Sequence, residues 1–381
     1  MRREVVSRDG DLLGQVRVVH ADGDPNARGQ QIGRALRDLI NESVDFYHRY
    51  LSRRGVSSTQ LQEVLTPYVV AAEAQFPGHM TTIKGMSVGA MVPVLELFAI
   101  NAFEELEPFL EPPEGDATFL RQKNGHHPSA PRSPKIERCS SFSVVAPGVT
   151  LLGHNEHWLS GDAGNVAVVI DLPDDGSVPV ASPTIACCLP AVGMNGHRGA
   201  QGVDSLPSGG DRVGVPRVLV SRHTLEAMNG RDGAARAGHP FRAGGYGHVF
   251  AFAGGSALTV ETTGRELAIL DGPGPHTNHY VDPDLAKLGP PPSEGSLTRL
   301  ARLARLLAEL QPTTPEEVMV ILRDHEPSSQ AICQHPNPDD GDDASSVLFS
   351  MVADLEAGRM WVSAGNPCEN EYEEIDLIGV L

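Results

Sequence analysis

A cysteine at the start of a predicted strand is the residue of this sequence best placed to act as a nucleophile. Cys139 stands in KIERCSSFSVV, where a charged stretch meets an apolar run typical of a β-hairpin. A thiol attacks a carbonyl as the thiolate, so an internal cysteine needs a base beside it. If the Arg138–Cys139 bond is cut, the new α-amine, with an ordinary pKa of about 7.7–8.0, can be that base. The alternative is a buried packing cysteine, the commoner role of this residue.

Self-cleavage before Cys139 would need an accessible segment on its N-terminal side. Residues 116–138 are rich in proline, serine, histidine and basic residues and have no apolar periodicity, which predicts an exposed linker. Attack of the thiol on the carbonyl of Arg138 would give a thioester, and its hydrolysis would separate residues 1–138 from residues 139–381.

Apolar periodicity predicts helices before this linker and mainly strands after it. Three- and four-residue apolar steps predict helices at 27–51, 58–76 and 91–106. Residues 199–246 are rich in glycine and arginine, and we expect them to form loops around a helix at 215–228. Further helices are predicted at 296–310 and 315–325. Alternation and glycine turns predict strands at 141–146, 150–154, 165–172, 248–253, 257–262, 266–270, 347–355 and 359–363. This order predicts a segregated α+β protein, compatible with two sheets between helix layers.

Composition argues against several kinds of partner. The 381 residues carry 30 basic and 49 acidic side chains, a formal net charge of −19, which disfavours binding to nucleic acid or to an anionic membrane. The sequence has neither an export signal nor an apolar run long enough to span a membrane. The five cysteines include no CxxC pair, so we expect neither a zinc site nor a disulfide framework, and the reducing cytoplasm fits best.

Ten motifs occur in an order that resembles a known family. They are RGQQIGRAL (28–36), KGMSVGAMVPVLELFAINAFEEL (84–106), RCSSFSV (138–144), GHNEHW (153–158), VGMNGHRGA (192–200), GVPRVLVSRHTLEA (214–227), HTNHYV (276–281), SLTRLARL (296–303), AICQHP (331–336) and MWVSAGNPCENEYEEIDL (360–377). Over nearly the whole chain they resemble the isopenicillin N acyltransferase family, self-cleaving cysteine acyltransferases and hydrolases of the N-terminal nucleophile (Ntn) superfamily. The resemblance implies a four-layer αββα sandwich with an extra N-terminal helical region, in which residues 1–138 and 139–381 form one unit.

The resemblance also implies roles for individual residues. Cys139 would be the nucleophile, the side-chain amide of Asn278 would contribute to an oxyanion hole, and Arg299 would support the nucleophile's surroundings. Supporting or substrate-binding roles would fall to Asn155, Glu156, Asn195, His276 and His279.

One position departs from the family pattern. Relatives usually have an aspartate before the tryptophan of the fourth motif, oriented toward the new amine, whereas this chain has His157 preceded by Glu156. Three outcomes are open: His157 replaces the aspartate, Glu156 compensates from the next position, or the activity is altered. A neutral imidazole accepts a hydrogen bond but adds no negative charge, so the choice affects the pKa of the amine.

The resulting expectation is an amide hydrolase or acyltransferase acting on a small-molecule amide or acyl thioester through an acyl-cysteine, without cofactor or metal. The two fragments would stay associated, and a homodimer is left open. One rival is a family member that lost catalysis and serves as a binding or scaffold protein. Another is a serine α/β-hydrolase using Ser87 in GMSVG, although no apolar strand precedes that motif. We expect the other four cysteines to be packing residues: Cys187, Cys188, Cys333 and Cys368.

Overall fold

The computed structural model describes residues 11–13, 16–110, 139–207, 209–327 and 330–377. The predicted linker at 116–138, including Arg138 and the bond expected to be cleaved, lies outside the described residues. The division of the chain at Cys139 therefore stays a prediction.

Helices dominate the described residues before position 111, and four more of the described α-helices lie between strands of the second part. Leu36 separates the first two helices, so the single helix predicted at 27–51 is in fact two, and residues 77–90 form a helix that the sequence analysis did not predict. The bounds are α1 Pro25–Ala35, α2 Arg37–Arg53, α3 Ser58–Gln75, α4 Pro77–Ala90, α5 Val94–Asn101, α6 Phe103–Leu110, α7 Arg217–Thr224, α8 Gly230–Ala237, α9 Glu294–Leu310 and α10 Pro315–Leu322.

The strands of the described residues form two sheets. Their bounds are β1 Asp11–Leu13, β2 Val16–Gly23, β3 Ser140–Ala146, β4 Val149–Leu159, β5 Val166–Pro173, β6 Val180–Ile185, β7 Gly193–Asn195, β8 Gly199–Ser205, β9 Tyr246–Phe252, β10 Ser256–Thr262, β11 Leu267–Asp271, β12 Pro275–His276, β13 Ser345–Asp354, β14 Arg359–Ala364 and β15 Glu373–Asp376. The larger sheet has the order β1-β2-β5-β6-β7-β8-β9-β10-β11, and the smaller has the order β12-β3-β4-β13-β14-β15. Pairing is antiparallel except between β2 and β5.

The two sheets face each other across an apolar core. Val168 of β5 and Val249 of β9 project into it from the larger sheet, and Leu152 of β4 and Met351 of β13 meet them from the smaller. Successive side chains of a strand point to opposite faces. Val352 accordingly packs on the other side of the smaller sheet, against α9 and α10.

Helices cover the outer face of each sheet. α1 to α6 pack on the larger sheet near β2 and β5, and α8 packs on it near β9 and β10. α9 and α10 cover the smaller sheet. The expected four-layer αββα sandwich with an additional N-terminal helical region is therefore confirmed. None of the helices in the described ranges is long and apolar enough to cross a membrane.

Two of the family-like motifs meet where α1 crosses α4. A Cβ on Gly29 would lie 2.2 Å from the carbonyl oxygen of Thr82, and a Cβ on Gly33 would lie 2.2 Å from that of Met86. A Cβ on Gly85 would lie 2.6 Å from the carbonyl oxygen of Asn26. The glycines of RGQQIGRAL and GMSVG therefore allow two helix backbones to approach closely, which no other residue type would permit.

The sequence analysis missed strands in the larger sheet. It predicted loops for residues 199–246 apart from one helix, whereas β8 lies there between β7 and β9, followed by α7 and α8. The sequence of β8, GAQGVDS, lacks apolar alternation because its glycines and polar side chains are themselves buried between layers. β2 was missed as well, so the N-terminal part supplies strands in addition to helices.

Candidate active site

The β3–β4 hairpin fixes the position of Cys139. Ser140 pairs with Asn155, so Cys139, one residue earlier, lies opposite Glu156 at the end of the hairpin. The Cys139 thiol lies 3.4 Å from Glu156 Oε1. The backbone N–H of His157 donates to the same sulfur at 3.5 Å. Thiol and carboxylate thus share one face of the hairpin.

A histidine holds the Glu156 carboxylate from the side opposite the thiol. His154 Nε2 lies 3.2 Å from Glu156 Oε2, while His154 Nδ1 lies 2.9 Å from the hydroxyl of Ser141. His154 is fully buried, and the Glu156 side chain is 18% exposed. The Glu156 carboxylate therefore contacts the imidazole of His154 through one oxygen and the sulfur of Cys139 through the other.

Strand alternation places the side chain of His157 on the face opposite Glu156. Neighbours of the same parity confirm which face this is: a Cβ on Gly153 would meet Val318 of α10, and Asn155 donates to carbonyl oxygens beside α10. His157 is buried, and its backbone contacts the sulfur of Cys139: its N–H donates to the sulfur at 3.5 Å and its carbonyl oxygen lies 3.7 Å away. Glu156 and His157 are the two residues that could take the place of the family's aspartate. The structure places the side chain of Glu156 beside the thiol.

Helix α9 supplies an arginine that joins the nucleophile to Asn278. Arg299 is 1% exposed, and its Nη1 donates to the carbonyl oxygen of Cys139 at 2.5 Å and to the Ser140 hydroxyl at 3.2 Å. Its Nη2 donates to Asn278 Oδ1 at 3.0 Å. Asn278 Nδ2 in turn donates to the carbonyl oxygen of Ser205 at 3.1 Å. Three of the four residues predicted for catalysis, Cys139, Asn278 and Arg299, therefore form one connected cluster, and the fourth, His157, projects from the opposite face of β4.

Burial controls the ionisation of the nucleophile. It raises the pKa of the Cys139 thiol well above its ordinary value of 9.0, and the nearby carboxylates of Glu156 and Asp204 raise it further. A hydrogen bond from the backbone N–H of His157 acts in the opposite direction but is outweighed. At neutral pH the sulfur is therefore a thiol, and attack on a carbonyl requires transfer of its proton to a base.

Cys139 and Glu156 lie on the wall of a largely apolar cleft of about 730 Å³. Trp158, the tryptophan of the fourth motif, is oriented by a 2.6 Å hydrogen bond from its indole N–H to the hydroxyl of Tyr47. Apolar side chains from both parts of the chain surround the cleft, among them Ile100, Phe103, Ile185, Val192, Val203 and Phe349. The cleft has the character of a binding site for a carbon-rich group.

Two adjacent glutamates form a polar corner of this cleft. Glu105 Oε1 accepts from Arg217 Nη1 at 2.8 Å, and Glu104 accepts a hydrogen bond from the Ser205 hydroxyl. Burial raises the pKa of Glu105 to about 7, although the Arg217 guanidinium opposes the shift. Asn101, of the same motif, donates to the carbonyl oxygen of Cys187 and accepts from the N–H of Leu189. Asn101 and Glu105, four positions apart in the motif at 84–106, thus both contribute to the cleft wall.

His276 lies in a buried triad between the two sheets. Its Nδ1 lies 3.0 Å from Asp204 Oδ2 and its Nε2 lies 3.0 Å from Glu261 Oε1, and none of the three side chains is exposed. Burial lowers the pKa of His276, but the two carboxylates outweigh it and the net pKa rises to about 9. His276 is therefore a buried cation that joins β12 to the larger sheet.

The other predicted supporting residues have contacts that organise backbone. His279 Nδ1 lies 2.7 Å from the hydroxyl of Ser296 in α9. Asn155 donates to two carbonyl oxygens, those of Leu322 and Ile332. Asn195 donates to two further carbonyl oxygens and accepts two backbone N–H groups in a turn. None of these three lines the cleft.

Ser87 lies inside α4, where its hydroxyl donates to the carbonyl oxygen of Val92 at 2.6 Å. A serine nucleophile of an α/β-hydrolase occupies a sharp turn between a strand and a helix. The structure therefore contradicts the elbow required by the serine-hydrolase alternative, and the glycines of GMSVG serve helix packing.

The sequence analysis did not single out Asp204, Glu261 or Glu104. Asp204 and Glu261 lie in strands β8 and β10, and only the strand order of the larger sheet brings them to His276. A possible signal was an acidic residue within a buried strand, since such a residue requires a partner. Among the described residues, metal-ligating side chains cluster at His325, Cys333, His335 and Cys368, and none of these lines the cleft.

Comparison with known proteins supports the family resemblance. The family model described as acyl-coenzyme A:6-aminopenicillanic acid acyl-transferase matches residues 191–369. No curated protein matches the chain. Penicillin V acylase from Agrobacterium tumefaciens is a structural match with 13% identity over 59% of this chain and 82% of that chain, with a TM-score of 0.41. Two variants of conjugated bile acid hydrolase from Clostridium perfringens match with 12% identity over 63% of this chain and 93% of theirs, with TM-scores of 0.37 and 0.36. Over residues 191–369, which include Asn195, Asn278 and Arg299, the chain is similar to the acyl-coenzyme A:6-aminopenicillanic acid acyl-transferase family.

Proposed function

We propose that this chain is an Ntn-type amide hydrolase or acyltransferase whose nucleophile is the thiol of Cys139. The thiol attacks an amide or thioester carbonyl, the leaving group departs with a proton, and an acyl-cysteine remains for transfer to water or to an amine. The observation that carries this proposal is the cluster of Cys139, Glu156, Asn278 and Arg299, of which Cys139 and Glu156 lie on the wall of an apolar cleft. The family match supports the reaction class.

Self-cleavage before Cys139 would provide an α-amine as the base for the buried thiol. The thiol attacks the carbonyl of Arg138, the peptide nitrogen leaves as the α-amine of Cys139, and water hydrolyses the thioester. The amine then accepts the thiol proton in each catalytic cycle. Glu156 would stabilise the resulting ammonium, since its carboxylate already lies beside the sulfur. In this proposal Glu156 takes the position of the family's aspartate.

The negative charge that develops on the substrate carbonyl needs preorganised donors. One N–H of the Asn278 amide is used by the carbonyl oxygen of Ser205, and the second is the donor we assign to the oxyanion. Arg299 positions this amide by donating to its oxygen. It also anchors the carbonyl of Cys139, so nucleophile and oxyanion donor are held by a single guanidinium.

The cleft favours an apolar acyl group. Its wall is mainly aliphatic and aromatic, with Glu104 and Glu105 at one corner. A carbon-rich acyl chain or ring gains from burial there at roughly 25 cal/mol per Å² of apolar surface. We therefore propose small-molecule amides or acyl thioesters with an apolar acyl half as the substrate class, without an organic cofactor.

The cleavage products would remain associated because they share a core. Ile40 of α2 and Leu97 of α5 lie in the same apolar cluster as Leu159 and Phe349, which come from the second product. β2 is also hydrogen-bonded to β5 across the division. Separating the fragments would expose this core and break the larger sheet, which is a large thermodynamic cost.

A panel of acyl amides and acyl thioesters, graded in the size and polarity of the acyl half, tests the proposal. We expect turnover of substrates with apolar acyl groups and a covalent acyl adduct on Cys139, detected by mass spectrometry of the quenched enzyme. Cys139→Ala removes both activity and adduct, whereas Ser87→Ala retains them. Turnover that persists in the purified Cys139→Ala variant would exclude the proposed nucleophile. A folded wild-type enzyme without turnover or adduct across the panel would favour the binding-protein alternative.

A further inference from the structure

Two histidines and two cysteines converge at one edge of the smaller sheet, outside the cleft. The ligand atoms of His325, Cys333, His335 and Cys368 all lie within 4.8 Å of one another. His325 and Cys333 flank the loop that follows α10, His335 comes two residues later, and Cys368 lies in the turn after β14. These are the four side chains of a Cys₂His₂ metal site.

The distances within the cluster are close to those between the ligand atoms of a tetrahedral ion. The two sulfurs are 3.6 Å apart, the Nε2 atoms of His325 and His335 are 3.0 Å apart, and His335 Nε2 lies 3.2 Å from the sulfur of Cys368. Tetrahedral zinc with its usual bond lengths separates neighbouring ligand atoms by roughly 3.3 to 3.8 Å. Small adjustments of side-chain rotamers would therefore place all four atoms around one ion.

Neighbouring polar groups contact two of the four ligands, Cys333 and His335. The N–H of Cys333 donates to the carbonyl oxygen of Asp324 at 2.9 Å, which closes the loop that begins beside His325. Asn366 Nδ2 lies 2.8 Å from the carbonyl oxygen of Gln334 and 3.4 Å from the sulfur of Cys333. The carboxylate of Glu369 lies 3.7 Å from His335 Nδ1. An N–H···S contact and a carboxylate near the second histidine nitrogen are typical surroundings of metal ligands.

We propose that His325, Cys333, His335 and Cys368 bind a structural Zn²⁺ ion. Two thiolates with two imidazoles in tetrahedral arrangement select zinc among the common divalent ions. Binding releases the two thiol protons to solvent, and four protein ligands leave no open position for substrate. This site differs from the sequence-based expectation of no metal and does not depend on the proposed catalytic function.

The ion would connect the loop after α10 to the turn after β14. Asn155 of β4 donates at 3.0 Å to the carbonyl oxygens of Leu322 and Ile332, which border this loop. Asn155 is adjacent in sequence to Glu156, the carboxylate beside Cys139. A metal ion bound here would thus fix the loop whose carbonyl oxygens accept the hydrogen bonds of Asn155, and Asn155 belongs to the β3–β4 hairpin that carries the nucleophile.

Metal content of the full chain tests the proposal directly. Protein purified anaerobically with reductant is stripped with chelator, incubated with ZnCl₂ and desalted, and its zinc is measured by elemental mass spectrometry. We expect about one zinc per chain in the wild type and a loss of at least tenfold in affinity for Cys368→Ser and His335→Gln. Two matched controls, Cys139→Ala and His48→Gln, remove a thiol and an imidazole elsewhere and should retain the metal. Circular dichroism shows whether each variant is folded.

Cobalt gives an independent measure of the ligand set. Titration of the stripped wild type with CoCl₂ should produce the intense visible bands of tetrahedral Co²⁺ together with thiolate-to-metal charge transfer, and zinc should displace them. In Cys368→Ser the charge-transfer band should weaken in the folded protein. Folded, reduced wild type that takes up neither ion would overturn the proposal. A Cys333–Cys368 disulfide that persists under reductant and excludes metal would also overturn it, as would unchanged metal binding in both ligand variants.

Discussion

The carboxylate of Glu156 lies 3.4 Å from the sulfur of Cys139, on the same face of the β3–β4 hairpin. This relationship follows from register: Ser140 pairs with Asn155, and the next pair outward joins the nucleophile position to Glu156. A shift of one residue would have brought His157 to the thiol instead. Of the two residues left open by the sequence, strand pairing thus brings the side chain of Glu156 beside the thiol.

We predict that Glu156→Gln impairs catalysis and changes its pH profile. Glutamine preserves the shape of the side chain but removes the charge that stabilises a neighbouring ammonium, so the pKa of the α-amine should fall. The acidic limb of kcat/KM should then move to lower pH by roughly 1 unit, with a loss of about tenfold or more in kcat. The measurement is a pH series of kcat/KM on a substrate found in the panel.

The matched control is His157→Asn, one residue further along the strand. Its side chain lies on the opposite face, so the acidic limb should keep its position even if overall stability decreases. The proposed role of Glu156 beside the α-amine is wrong if His157→Asn shifts the acidic limb of kcat/KM and Glu156→Gln does not.

Arg299→Lys should reduce kcat strongly and leave KM nearly unchanged. A guanidinium reaches the carbonyl oxygen of Cys139 and Asn278 Oδ1 at the same time, whereas an ammonium cannot reproduce this planar, forked geometry. Loss of one oxyanion donor typically costs about 10²–10³ in kcat, and a misplaced Asn278 amide should approach that loss. Steady-state kinetics check this prediction. A rise in KM at constant kcat would instead assign Arg299 to substrate binding.

The buried His276 makes stability depend on pH. Its folded pKa of about 9 exceeds the ordinary value of 6.5, so the folded chain holds the proton more tightly than the unfolded chain. The stabilisation is fully present below about pH 6.5 and is lost as pH rises through 9. We expect the free energy of unfolding to fall by roughly 3 kcal/mol over this window, measured by denaturant titration at several pH values.

Asp204→Asn provides the comparison for this pH dependence. It removes one of the two carboxylates that hold the imidazolium, so the pKa of His276 should fall and the loss of stability should begin at lower pH. His279→Asn is the control, because burial lowers the pKa of His279, so the titration of His279 contributes no loss of stability as pH rises. An identical pH dependence in wild type and Asp204→Asn would contradict the assignment.

Gly33→Ala should destabilise the contact between α1 and α4. The new methyl group would lie 2.2 Å from the carbonyl oxygen of Met86, which forces the two helices apart. We expect a loss of about 1–3 kcal/mol in the free energy of unfolding. Gly78→Ala is the control within α4, since a Cβ there meets no atom within 4 Å, and its effect should stay within about 1 kcal/mol.

Regular apolar patterns explain which elements could be predicted from the sequence. The amphipathic α9 and the apolar, buried β13 were located to within two residues, because a helix stripe or an apolar strand must match the core it covers. β8 could not be recognised, because glycine and polar residues fill it and its burial is set by neighbouring strands. The break at Leu36 was missed because apolar spacing continues across it.

The site was predictable where it resembles a known motif and unpredictable where it depends on contacts between distant strands. Cys139, Asn278 and Arg299 were named from motifs, and the structure brings them into one cluster. The partners of His276 come from two strands far apart in sequence. The Cys333–Cys368 pair gave no metal signal, because 35 positions separate the two cysteines and only the fold brings their sulfurs to 3.6 Å.

The most direct test of the central claim is the intact mass and N-terminal sequence of the purified full-length chain, compared with Cys139→Ala. The account predicts two associated fragments in the wild type, the larger beginning Cys-Ser-Ser-Phe at Cys139, and one uncleaved chain in the variant. An intact wild-type chain that turns over amide or thioester substrates would contradict the account, because its Cys139 would have no free amine to serve as the base.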